Sequence, residues 1–289
     1  LEAEGARLGE SSFENATYRL FATLTLPEIW RPEARLTTRI GAVRERLDAY
    51  DRDAVLFSAI AERALTERIA LQAGPLHEEG RIGRYGKLED FSLAGFVGGI
   101  RWDGTTSLLD PTSGQRASLT VTPFYSLRES TAFTRILATA SAYLDVTGDA
   151  RGVLALRGAF GATIGATRDE ITLDKRFYSG GGGSVRGFTF QSIGPRDRGN
   201  RPLGGASILV AGIEWRQRDT GPWGAVAVVD AGTVGEDSVP GTGAFRIGVG
   251  AGLRYLTAIG PIRIDIGVPL NPERGDPAYA LYVGIGQAF

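Results

Sequence analysis

The residues of this chain that could do chemistry lie mostly in one stretch. It runs Phe177-Tyr178-Ser179-Gly180-Gly181-Gly182-Gly183-Ser184-Val185-Arg186-Gly187-Phe188, then Thr189-Phe190-Gln191-Ser192-Ile193-Gly194-Pro195. Consecutive glycines invite a phosphate-cradling reading, but no Lys-Ser or Lys-Thr follows them and no helix start stands ready for an anion. A flexible linker explains the glycines and leaves Val185-Arg186-Gly187-Phe188 unexplained. His77 is the single histidine, flanked by Glu78 and Glu79, and a solvated turn at a strand end is its ordinary reading. The chain has no cysteine, no histidine pair for a metal and no Gly-x-Ser-x-Gly elbow. No pair of carboxylates can be placed in a cleft. The residue types therefore indicate no catalytic group, no metal and no cofactor.

Whatever Arg186 does depends on the elements around it, and these show a period of two. In 245–255, Phe245, Ile247, Val249, Ala251, Leu253 and Tyr255 alternate with Arg246, Gly248, Gly250, Gly252 and Arg254. Ile262, Ile264 and Ile266 then alternate with Arg263, Asp265 and Gly267. Tyr18, Leu20, Ala22, Leu24 and Leu26, and later Leu36, Thr38, Ile40 and Ala42, repeat the design. Such runs predict about fourteen strands, near 1–9, 17–26, 35–46, 53–64, 67–74, 88–102, 115–126, 132–146, 151–165, 203–217, 222–232, 243–257, 260–268 and 277–289. Short and long connections are expected to alternate. Residues 166–202 form one connection far longer than a hairpin needs, which marks a functional or disordered loop.

A soluble antiparallel sandwich also alternates. Two features favour a transmembrane antiparallel β-barrel. The apolar faces carry no charge, as lipid requires, and the opposite faces carry Arg, Asp and Gly, which suit a wet lumen. No run approaches the roughly 18 apolar residues of a membrane-spanning helix. Glycine, at 41 residues, recurs inside the alternating runs; on an inner wall it leaves room for a plug or loop. The formal net charge of −1 gives no electrostatic footprint for nucleic acid. Absent cysteine rules out a disulfide framework and is compatible with a bacterial envelope.

Val185-Arg186-Gly187-Phe188 resembles the Val/Ile-Arg-Gly-Phe/Tyr signature of the BamA/TamA superfamily of outer-membrane assembly factors. The flanking Phe177-Tyr178-Ser179-Gly180-Gly181 and Ser192-Ile193-Gly194-Pro195 are most similar to TamA-type members. Asp103 with Leu109-Asp110-Pro111-Thr112-Ser113-Gly114 resembles a family turn. Leu203-Gly204-Gly205 leading to Glu214-Trp215-Arg216, and Val228-Val229-Asp230-Ala231-Gly232, resemble the two strands after the loop. The resemblance implies that the loop folds into the lumen and that Arg186 meets acidic side chains of those strands, here Glu214 and Asp230. The chemistry agrees: a carboxylate inside an apolar strand needs a cation or water, and a guanidinium can fork between two. The rival reading is that both acids merely face lumen water.

The last residues, Tyr282, Gly284 and Phe289 among them, resemble the C-terminal insertion signal of outer-membrane barrels, with Gln287 in an apolar place. Family barrels have sixteen strands, and the long loop follows the eleventh. About nine are read here before the loop and five after it. The expectation is therefore a single barrel domain over 1–289, with the first two strands and the periplasmic POTRA domains absent. The resemblance implies a non-enzymatic factor in the outer membrane that assembles or inserts other outer-membrane proteins. Its partners would be the lipid bilayer, unfolded outer-membrane protein substrates and an inner-membrane-anchored TamB-like protein. The alternative is a two-partner-secretion type export pore, which shares the loop motif. A passive porin leaves that motif unexplained.

Overall fold

The computed structural model describes residues 2–6, 17–258 and 260–287. Its strands are β1 (Glu2–Ala6), β2 (Thr17–Pro27), β3 (Ala34–Arg46), β4 (Asp51–Ala64), β5 (Ile69–Arg84), β6 (Lys87–Asp103) and β7 (Gly114–Ser126). After these come β8 (Ala132–Asp145), β9 (Gly152–Ile164), β10 (Ser207–Arg218), β11 (Trp223–Gly235), β12 (Arg246–Tyr255), β13 (Ile262–Pro269) and β14 (Ala280–Ile285). Sheet order follows chain order from β1 to β14, and the registered pairs are antiparallel. This is the all-β arrangement of a transmembrane β-barrel, in which neighbouring strands satisfy each other's backbone groups without water. Among the described residues no helix is long and apolar enough to cross a membrane.

The chain divides into two compact units. The first comprises Leu1–Arg101, Leu119–Ile136 and Thr163–Arg176; the second comprises Trp102–Ser118, Leu137–Ala162 and Phe177–Phe289. In the first unit Ile40, Val55 and Phe57 face outward and are exposed, while Val43, Ala54 and Leu93 point to the packed face. The second unit alternates more sharply. Ile213, Val229, Leu253, Ile264, Ile266 and Val283 are exposed, and between them Val210, Glu214, Val228, Asp230, Arg254 and Asp265 are buried. Trp223 and Tyr255 sit edge to face on the outer surface, 5.0 Å apart, at one end of this apolar band. Aromatic rings at that height are what a lipid–water boundary selects.

Several sequence expectations need correction. The strand read at 67–74 is β5 and continues to Arg84. Its ladder skips Gly74 and Pro75 and resumes in the same register at Leu76. Proline has no N–H to give the ladder, so it read as a strand end. His77 accordingly lies within β5, opposite Phe57, and not in a turn. The strand expected from 203 starts at Ser207, so the long connection is 165–206. The last strand is shorter than 277–289, and Phe289 lies outside the described residues. Short and long connections alternate only after β9; before it the described turns are short except 104–113. In the second unit the inward charges Arg254 and Asp265 are buried and paired, not wet.

Candidate functional site

The site begins with two carboxylates on neighbouring strands. Alternation turns Glu214 of β10 and Asp230 of β11 to the packed face. Asp230 pairs directly with Gly212, so the two acids sit one inward step apart. Gly212 offers no side chain to separate them. Between them stands Arg186, and all three side chains are fully buried. Arg186 donates from Nη1 to Glu214 Oε2 at 2.6 Å, and from Nε to Asp230 Oδ2 at 2.7 Å. Its Nη2 reaches Asp230 Oδ1 at 3.3 Å, and its backbone N–H reaches Oδ2 at 3.2 Å. Burial works against the arginine's charge, but the hydrogen bonds and charges of Asp230 and Glu214 more than offset it. Its pKa stands above the usual arginine value.

The loop chain fits because the strands beneath it carry glycine. A Cβ on Gly267 would stand 3.0 Å from the carbonyl carbon and Cβ of Arg186, and one on Gly248 would overlap the Arg186 carbonyl oxygen. Gly187 turns the chain with φ +96°, a conformation that L side chains rarely adopt. On either side, Val185 and Phe188 are fully buried in an apolar cluster with Phe177, Ile193, Ile208, Val210 and Val234. Tyr282 of β14 completes the grip: its hydroxyl accepts from Gly187 N–H and donates to the Phe188 carbonyl, each at 3.0 Å. Gly267→Val is therefore expected to lift the loop from β12 and β13 at a cost of about 1–3 kcal/mol. Protease cleavage within 177–195 in the folded protein would read this out.

Further charges brace the pair. Arg157 of β9 donates to Asp230 Oδ1 at 2.8 Å, to the Gly183 carbonyl at 2.8 Å and to the Ser184 carbonyl. Arg216 reaches Glu214 Oε1 at 2.7 Å, and Arg254 reaches Asp265 at 2.6 Å. Arg254 and Arg263 are directly opposed in register, a repulsive pairing in a ladder. The Asp265 carboxylate touches both and relieves it.

The stem of the same connection, within the first unit, is held by a second ionic cluster. Its short 3-10 turn, Leu173–Lys175, points Lys175 at Glu78, with Nζ 2.6 and 2.7 Å from the two carboxylate oxygens. Asp174, almost fully buried, lies 2.8 Å from Arg52 and 2.9 Å from Lys175. Burial alone pushes the Asp174 carboxyl up, but Lys175 and Arg52 hold it below the usual carboxylate range. A depressed pKa contributes stability that is fully present above the unfolded value and lost as pH falls through the folded one. The stem should thus hold at neutral pH and loosen only in acid below the usual carboxylate range. Lys175→Ala should cost about 1.5–3 kcal/mol, as a lost charged hydrogen bond does, with faster proteolysis confined to 165–176.

Of the residues singled out in the sequence, Val185, Arg186, Gly187, Phe188, Glu214, Asp230 and Tyr282 come together. Gly284 does not join them; it faces Arg263 across the ladder, where a Cβ would crowd that guanidinium. Arg157, Arg216, Arg254 and Asp265 were missed as parts of the site, as were Asp174 and Lys175. Inward charges at alternate positions were the available signal for those on strands. Among the described residues no group of three or more His, Cys, Asp or Glu side chains could hold a metal ion.

An apolar outer face, an inner face of paired charges and a long loop tied to it by a buried arginine define a bacterial outer-membrane β-barrel. The chain belongs to the Omp85 superfamily, whose domain model matches residues 4–289. It is similar in fold to BamA from Haemophilus ducreyi lacking POTRA domains 1–3, with a TM-score of 0.77 and 16% identity, over 92% of this chain and 61% of that one. It is also similar to CdiB from Escherichia coli (TM-score 0.63, 16% identity, 94% of this chain and 53% of that one). CdiB from Acinetobacter baumannii gives a TM-score of 0.55 at 13% identity, over 93% and 56%. The chain thus spans between 53% and 61% of the length of these structures.

Proposed function

We propose that this barrel is a non-enzymatic assembly factor of the translocation-and-assembly-module type, which helps other outer-membrane proteins insert and fold. The observation that carries the proposal is Arg186, wholly buried and forked between Glu214 and Asp230. A guanidinium held this way fixes the loop to the wall, and the wall then presents a defined last strand to a substrate. Nascent strands would add by β-augmentation, with backbone hydrogen bonds supplying the affinity. Arg186 and its two acids act here as positioning residues, and so does Tyr282. With Gly284 and Phe289 it also forms the proposed C-terminal insertion signal. The partners of this reading are the lipid bilayer, unfolded outer-membrane proteins and a TamB-like protein anchored in the inner membrane.

The full-length protein in lipid vesicles should speed the folding of an added, urea-unfolded outer-membrane barrel well beyond protein-free vesicles. Equal rates in the two would overturn the proposal. Export through a two-partner-secretion type pore is the second reading, favoured by the loop motif that both classes share. It predicts that an unfolded exoprotein becomes protease-protected inside the vesicles while barrel folding is not accelerated.

A further inference from the structure

Gln287 stands where the sequence pattern of a terminal barrel strand calls for an apolar residue, and its contacts explain why. Among the described residues β14 pairs with β13, from Ala280 against Gly267 to Ile285 against Ile262. Just past its end, the Gln287 backbone N–H donates to the Leu109 carbonyl at 3.0 Å. The side-chain amide donates to Asp110 Oδ1 at 3.0 Å, and its oxygen accepts from Arg254 Nε at 3.0 Å. Asp110 is also bound by Arg218 from the end of β10. Next to it the Pro111 carbonyl accepts from Arg216 at 3.3 Å.

The turn 104–113 is built to hold this position. Asp103 takes the Thr105 hydroxyl at 2.6 Å and Arg116 Nε at 3.0 Å, and Asp110 N–H is received by Ser107 Oγ at 3.2 Å. Leu109 lies over Gly260 and Gly286, both at positive φ, where a side chain would come within 3.6 Å of it. A leucine at 287 would fill the space and keep the backbone bond, but it would offer neither side-chain contact.

We propose that turn 104–113 is a latch on the end of the last strand, with the Gln287 amide as its bolt and Asp110 as its catch. While the latch is closed, β14 is held at two points of its inner side, mid-strand by Tyr282 to the loop and just past its end by Gln287 to the turn. Release of Asp110 frees the C-terminal end of β14 to part from β13 and leaves the Arg186 cluster intact. The inference concerns the hold on the strand, and it stands whether the protein inserts or exports its substrates.

Amide hydrogen exchange on the full chain in detergent or vesicles tests it. Gln287→Leu and Asp110→Ala should each raise exchange across 280–285 by about ten-fold, as expected for a locally released strand, with β10 and β11 unchanged. Asp110→Ala removes the acceptor but keeps the backbone bond to Ser107 and the Asp103 contacts of the turn, so it reports even if Gln287→Leu assembles poorly. Exchange in β14 within two-fold of the parent in both variants overturns the latch. So does an equal rise in every strand, which would mark a general loss of stability.

Discussion

Arg186→Ala is expected to lower the unfolding free energy by about 3–5 kcal/mol, the usual cost of breaking a buried ion pair by deleting one partner. The loss comes from the carboxylates left behind. Asp230 forfeits both guanidinium hydrogen bonds and keeps the backbone N–H, and Glu214 is left with Arg216 at 2.7 Å and Arg254 at 3.9 Å. Arg186→Lys should recover little, because a single ammonium cannot span the fork that reaches both acids. Urea unfolding of the folded barrel measures the first effect. Folding of an added outer-membrane substrate measures the second, and the same variant should lose most of its activity there. An unchanged unfolding midpoint together with full activity would remove the arginine from the mechanism.

Asp230→Ala is the other large effect, and it should exceed Glu214→Ala. Asp230 receives the guanidinium and backbone N–H of Arg186 and also Arg157, which itself holds the Gly183 and Ser184 carbonyls. Its removal takes one of two carboxylates from Arg186 and the carboxylate from Arg157, which loosens the Gly-rich tip at about 3–5 kcal/mol. Glu214→Ala leaves Arg186 on Asp230 and should cost less. Because Arg186 and Asp230 act as one unit, the double variant should fall short of the summed losses by about 0.5–3 kcal/mol. Additive losses would mean that the two side chains do not depend on each other.

The strands were legible in the sequence because lipid on one face leaves an uninterrupted apolar rhythm, as in Phe245–Tyr255 and Ile262–Ile266. β5 was read short where that rhythm breaks: beyond Pro75 its outward positions are His77, Glu79 and Arg81. Arg186, Glu214 and Asp230 were legible by resemblance, supported by the cost of an unpaired acid in an apolar strand. Their braces were not. Alternation shows that Arg157, Arg216 and Asp265 point inward, but only the register decides which charge meets which. The stem contact of Lys175 with Glu78 joins residues 97 apart in the chain, with nothing local to signal it. Gln287 looked like a flaw in a strand pattern until the turn that receives it was in place.

The most direct test is whether the loop lies on β11 in the membrane. The parent chain has no cysteine, so an engineered pair reports without background. Val185 approaches the position a Gly232 side chain would take, with its Cγ2 2.7 Å from that Cβ. This is within the reach of a disulfide. Val185→Cys with Gly232→Cys should crosslink almost completely on mild oxidation of this chain in membranes. A control pair using exposed Phe190→Cys with Gly232→Cys should crosslink poorly. If the first pair formed no more disulfide than the control, the loop would not be bound to the wall and Arg186 would not be its anchor.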